Sequence, residues 1–187
     1  MAADKRGGTR VDENRDRGRF VALPAVVLGG MAYLRLSHAA RSLLIEWLHS
    51  LAAWTHAVTF TLKHHDERGV QATQRIMKDT ARHFLVVLNA ACFGASNARR
   101  GYRVGSAVSF GWGVYGDHPH LHFSLAAPAH LEDQKFVSLI KSIASRIFWI
   151  DQQKKIKPYR DQGWSEYLVD HGMDNVILDL VRPSMPA

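Results

Sequence analysis

The sequence predicts an α+β fold: a ferredoxin-like (RRM-like) split β-α-β antiparallel sheet, with helices on one face and the other face open. Three observations carry that expectation. Segments at 57–63, 104–114 and 120–125 alternate apolar and polar side chains with period two. Segments at 76–91 and 136–147 repeat apolar residues at helical spacing. From residue 56 onward the elements then follow as β-α-β-β-α-β-α, with one further short strand at the end.

Each element has its own signals. Ser37 is placed as an N-cap for a helix that carries Ala40, Leu43, Leu44, Trp47, Leu48 and Leu51 and ends near Ala53. Val58, Phe60 and Leu62 share one face of the first strand, and Thr59, Thr61 and Lys63 share the other. After a polar turn over 64–69 comes a long helix, which Gly94 is placed to terminate. Residues 95–101 read as a loop holding Arg99 and Arg100. Val104 to Val114 is a strand, and Gly105, Gly111 and Gly113 on it suggest a bulge or a close backbone approach. A turn at Gly116–Pro119 leads into the strand His120–Leu125, so these two strands form a hairpin. Phe136, Leu139, Ile140, Ile143 and Ile147 mark the next helix, and Phe148 to Pro158 reads as a strand with a basic end. Asp161 to His171 is a short helix stopped by Gly172, and Val176 to Val181 is a candidate final strand.

The organisation expected is a disordered charged tail over 1–19, a helical appendage over 20–54 and a single domain over 55–181. At 187 residues with 47% hydrophobic and 22% charged residues, the chain is globular rather than low-complexity, and long enough to bury a core. One cysteine, Cys92, excludes an intrachain disulfide framework and a multi-cysteine zinc site, and it reads as a buried small hydrophobe. The longest apolar stretch, Phe20 to Leu34, is broken by Pro24, Gly29 and Gly30 and falls short of the roughly 20 residues a spanning helix needs. A reducing cytoplasm and no membrane partner are therefore expected. The 24 Lys+Arg against 17 Asp+Glu give +7, which favours a polyanionic partner.

Three groups of residues could carry chemistry. In His118-Pro119-His120-Leu121-His122, strand alternation sends Leu121 to the core and projects His120 and His122 together from the opposite face. Two imidazoles about 6–7 Å apart along a strand can converge on one cation. On the helix from Gly163, Tyr167, Asp170 and His171 share a face at i, i+3 and i+4, and a tyrosine there is a candidate nucleophile against the plainer reading of a packing residue. Finally, Lys63, Arg99, Arg100, Arg103, Lys154, Lys155, Lys157 and Arg160, with Trp112, Tyr115 and Trp149 near in sequence, suit a groove for single-stranded nucleic acid.

Taken in order, Phe60-Thr61-Leu62, His120-Leu121-His122 and Gly163-Trp164-Ser165-Glu166-Tyr167-Leu168 resemble the three motifs of the HUH endonucleases, the rolling-circle replication initiators and their relatives. The resemblance covers about residues 55–175. It implies Mg²⁺ or Mn²⁺ held by His120 and His122, with Asp117 or His118 as candidates for a further ligand. It also implies attack by Tyr167 on single-stranded DNA at a replication origin or element end, giving a 5′-phosphotyrosine link and a free 3′-OH. A host helicase as partner and a bacterial mobile element as source are further implications. Two positions depart from the family pattern: Asp170 stands where a lysine is usual, and Gly111 where a glutamate ligand is expected. Two other readings stay open. One is an HUH-fold protein that binds DNA without cleaving it. The other is a histidine-triad nucleotide hydrolase or transferase, which His118-Pro119-His120-Leu121-His122 also resembles and for which Tyr167 would be dispensable.

Overall fold

The computed structural model describes residues 37–112, 118–170 and 175–183. The expected tail over 1–19, the apolar stretch 20–34, Tyr115, Asp117, His171 and the helix stop at Gly172 lie outside these residues.

Five helices and four strands make up the described chain: α1 (His38–Ser50), β1 (His56–Leu62), α2 (Gln74–Phe93), α3 (Ala95–Arg99), β2 (Gly105–Trp112), β3 (Pro119–Ala126), α4 (Asp133–Ala144), β4 (Ile150–Pro158) and α5 (Gly163–Asp170). The sheet order is β2-β3-β1-β4, and every neighbouring pair is antiparallel. β3 is thus inserted between β1 and β2, which α2 links, and β1 between β3 and β4, which α4 links. That is the split β-α-β arrangement expected from the element order.

Side-chain alternation builds the core directly. Val58, Phe60 and Leu62 on β1 and Leu121, Phe123 and Leu125 on β3 are all buried, and they face Phe84 and Leu88 of α2 and Phe136 and Ile140 of α4. Phe60, Phe84 and Phe123 form a triangle with ring centroids 5.0, 5.1 and 5.4 Å apart, in tilted and edge-on geometries that favour aromatic pairs. The caps read from sequence are in place. Ser37 accepts from the Ala40 amide, and Gly94 closes α2 at φ +79, a value that costs glycine little. Cys92 is buried on α2, and burial pushes its thiol up to about 11, so it is an inert packing group.

The opposite face is open over β1 and β4 but partly covered over β2 and β3. There α1 and α5 pack together in a second core of Leu44, Ile45, Leu48, Leu168 and Val169 on Ala107 and Ala126. The small side chain of Ala107 on β2 leaves room for Leu168 and Val169 of α5 to pack against it. α1 falls in the same compact unit as the sheet.

Three local expectations are corrected. Residues 95–99 form the short helix α3 rather than a loop, because the chain turns at Gly94 and re-enters helix with Ala98 N–H donating to the Gly94 carbonyl. Val176 to Val181 is not a strand. It makes isolated bridges from Val176 to Ser109 and from Arg182 to Ser106, with a 3-10 turn at Leu178–Leu180 between them. The Ser106 hydroxyl donates to the Leu180 carbonyl and Arg82 holds Asp179 at 2.7 Å, which together fix the turn. β2 pairs with β3 in unbroken register from Gly105↔Ala126 to Trp112↔Pro119, so its glycines mark no bulge there. The one register shift lies between β1 and β4, at Phe60/Leu62. Among the described residues, no helix is long and apolar enough to cross a membrane.

A buried histidine gives the fold a pH dependence. His56 is 3% exposed, with Nε2 3.1 Å from Asp133 Oδ1 and Nδ1 2.7 Å from Thr55 Oγ1. Burial lowers its pKa below 6.5, and the Asp133 carboxylate offsets this only in part. The unfolded chain therefore takes up this proton more readily than the folded one. Its contribution to stability is complete above the ordinary value and is lost as pH falls through and below it. His56→Gln is expected to flatten the fall in urea midpoint between about pH 7.5 and about pH 5.5. An unchanged fall would assign the effect to other histidines.

Candidate active site

β3 places His120 and His122 side by side on the face away from the main core, with ring centroids 5.9 Å apart. The register then surrounds them with small or hydroxylated residues. Thr61 and Gly111 lie opposite His120, and Thr59 and Ser109 lie opposite His122. His122 is 1% exposed, and its Nδ1 sits 3.1 Å from Thr59 Oγ1, a contact that fixes the plane of the ring.

α5 brings the tyrosine to this pair. The chain turns at Asp161, whose carboxylate accepts from the Gly163 amide, and the helix then crosses the open face beside β3. The indole N–H of Trp164 donates to the Phe123 carbonyl at 3.2 Å, which ties the first turn of α5 to the strand that carries the histidines. Trp164 and Tyr167 stack at 5.2 Å, and the Tyr167 ring stands edge-on to His122 at 4.9 Å between centroids. Tyr167 is nonetheless 39% exposed, so its ring is held on the inner side and accessible on the outer.

These residues sit in a groove of about 850 Å³. Its floor is Thr59, Thr61, His120 and His122; one wall is Lys155 and Lys157 of β4 with Arg160, and the other is Trp164 and Tyr167. The groove joins cations, stacking rings and imidazoles within one concavity. Cations and exposed ring faces so placed can attract anionic groups and stack planar ones.

The basic residues expected to bind DNA divide. Lys155 and Lys157 alternate onto the groove face, and Arg160 joins them. Lys154 pairs across from Phe60 on the other face, with its ammonium donating to the Asp151 carbonyl. Lys63 lies 3.9 Å over the Phe148 ring, Arg103 lines a separate cavity of about 350 Å³ beside α2, and Arg99 and Arg100 are exposed on and just after α3. None of Lys63, Arg99, Arg100, Arg103 and Lys154 lines the groove. The stacking residues are also different from those expected. Trp112 packs on the main core and Trp149 lines another cavity, while Trp164 and Tyr167 supply the groove's aromatic wall. Thr59 lines the groove without having been singled out as a site residue, although its alternation with Phe60 already placed it on the histidine side.

Asp170 does not join Tyr167 at the groove; it forms an ion pair with Arg41 of α1. Tyr159 is the other tyrosine in this region. Its hydroxyl lies 2.9 Å from both His49 Nδ1 and Ser165 Oγ, and burial, with the Asp161 carboxylate adding to it, raises its pKa despite the Ser165 contact. Engaged by both neighbours, Tyr159 does not line the groove.

The described nitrogen donors on the groove floor are His120 and His122. Mg²⁺ and Mn²⁺ take mainly carboxylate, carbonyl and water oxygens in octahedral sites. Among the described residues no group of three His, Cys, Asp or Glu side chains is placed to hold a metal ion, and Asp117, a candidate further ligand, lies outside those residues.

Comparisons with protein-family models, with curated proteins and with solved structures find no match to this chain.

Proposed function

We propose that the protein cuts and rejoins single-stranded DNA, with Tyr167 as nucleophile, as the resemblance to HUH endonucleases implies. The observation that carries this reading is the edge-on contact of Tyr167 with His122 at the end of a groove walled by Lys155 and Lys157. It joins an accessible phenol, two imidazoles and phosphate-neutralising charge within reach of one bound strand.

The chemistry follows from those groups. Lys155, Lys157 and Arg160 draw the phosphate backbone into the groove, and the faces of Trp164 and Tyr167 offer stacking to a base. The Tyr167 oxygen forms a bond to phosphorus, and the bond from phosphorus to the 3′-oxygen breaks. The phenolic proton passes to an imidazole of the β3 pair, and that imidazolium gives a proton to the departing oxygen, leaving a free 3′-OH. The DNA is left joined to the tyrosine through its 5′-phosphate, so the bond energy is retained and a 3′-OH can reverse the step.

The test is incubation with a pool of labelled single-stranded DNA, with Mn²⁺ and with EDTA in parallel, followed by denaturing electrophoresis. A labelled band at the mass of the protein plus a DNA fragment is the expected result. Salt-sensitive binding with no such band, in a pool that includes replication origins, would favour the reading of a DNA-binding protein that does not cleave.

Charge placement gives a second expected outcome. Lys155→Ala/Lys157→Ala should reduce the slope of log affinity for single strands against log salt by about 1.4, about 0.7 for each lost phosphate contact. Lys63→Ala should leave that slope unchanged, because Lys63 lies on Phe148 outside the groove. Equal effects of the two variants would move the binding surface away from the groove.

A further inference from the structure

We infer that α1 is a splint for the tyrosine helix: Arg41 holds Asp170 at one end of α5, and His49 holds the Tyr159–Ser165 pair at the other, so that α1 sets the position of Tyr167. The inference rests on the reading of Tyr167 as nucleophile and adds to it a pair of positioning residues.

The need for such a device follows from length. α5 has eight residues, too few to hold a helix in water by its own hydrogen bonds, so tertiary contacts must fix it. On the sheet side, the bond from Trp164 to the Phe123 carbonyl anchors its first turn. Ala107 and Ala126 of the sheet and the His122 ring add contact beneath α5, and α1 covers its other side. Leu44, Ile45 and Leu48 meet Leu168 and Val169 in an apolar seam, which supplies adhesion without direction.

Direction comes from two polar links. The Arg41 guanidinium donates to the Asp170 carboxylate at the last residue of α5. His49 Nδ1 lies 2.9 Å from the Tyr159 hydroxyl, which lies 2.9 Å from the Ser165 hydroxyl in the first turn, and the His49 and Tyr159 rings stack at 6.0 Å. The links pair the start of α1 with the end of α5 and the end of α1 with the start of α5, so the helices run antiparallel and are tied at both ends. Tyr167 lies between the tied residues Ser165 and Asp170.

The Arg41–Asp170 pair is solvent-facing, with 38% and 51% of the side chains exposed. Pairs of that kind add little to global stability. Its effect should therefore register in the placement of Tyr167, where a displacement of about 1 Å can slow a reaction about 100-fold.

The experiment uses the full chain in four forms: wild type, Arg41→Ala, Asp170→Ala and the charge exchange Arg41→Asp/Asp170→Arg. Three quantities are read: the single-turnover rate of adduct formation at saturating single-stranded DNA, the affinity for that DNA, and hydrogen exchange of the amides of 163–170. The single variants should form the adduct about 10- to 100-fold more slowly at near wild-type affinity and urea midpoint, with faster exchange in α5. The charge exchange should recover both rate and protection. Wild-type rates and exchange in the single variants would overturn the splint, as would a rate loss matched by a loss of global stability or left unrecovered by the exchange of charges. If the wild-type protein forms no adduct, the nucleophile reading fails by itself. The exchange data still decide whether α1 holds α5.

Discussion

Tyr167→Phe is expected to abolish the covalent protein–DNA adduct, lowering its rate of formation by about 10³-fold or more, as removal of a nucleophile does elsewhere. The ring itself stays. Phenylalanine retains the edge-on contact with His122 and the stack on Trp164, which rest on the ring and not on the hydroxyl. Affinity for single-stranded DNA should therefore remain within about 10-fold of wild type, the scale of one lost hydrogen bond. The combination of lost chemistry and kept binding separates a nucleophile from a stacking residue. Tyr159→Phe provides the comparison: its hydroxyl is spent on His49 and Ser165, so it should reduce the rate only through the placement of α5. Loss of the adduct in Tyr159→Phe with full activity in Tyr167→Phe would reverse the assignment.

The second large effect concerns the sheet that carries the histidines. Phe60 is fully buried at the centre of β1 and touches both Phe84 and Phe123. Phe60→Ala should destabilise the protein by about 3–5 kcal/mol, from lost apolar burial together with the cavity left behind. Against a total stability of about 5–15 kcal/mol, that brings the fold near its limit. β1 also carries Thr59, the contact that orients His122, on its other side. DNA binding should consequently fall together with stability as urea is raised. A loss below about 1.5 kcal/mol on urea unfolding would show that the core can collapse around the missing ring.

The sheet was legible in the sequence because a period of two leaves little freedom. Once Phe60 and Phe123 are assigned to the core, His122 and Thr59 must lie on the other face. Strand order was legible for a related reason: β-α-β-β-α-β with all-antiparallel neighbours has few ways to close. The Val176–Val181 segment misled because only Val176 and the following Arg182 bridge to β2, and the turn around Asp179 between them answers to Arg82, 97 residues away.

The site was legible in part. Tyr167 and the two histidines lie on separate elements, and the motif order brought them together before any geometry was known. The sorting of the lysines was available in principle, since Lys154 alternates away from Lys155 and Lys157, yet a cluster of charges reads first as one patch. The role of Asp170 was not available. Its partner Arg41 lies 129 residues earlier on a helix that looked like an appendage, and no local spacing links them.

The most direct measurement is the identity of the residue that carries DNA in the covalent complex. The adduct formed on a single-stranded substrate is digested with nuclease and protease, and the peptide that bears the nucleotide is located by mass spectrometry. The expected result is an acid-stable phosphotyrosine link at Tyr167, in the peptide that also contains Trp164. A link at any other tyrosine, or an acid-labile phosphohistidine at His120 or His122, would contradict the proposed mechanism, and the phosphohistidine would return the protein to the nucleotide-transfer reading.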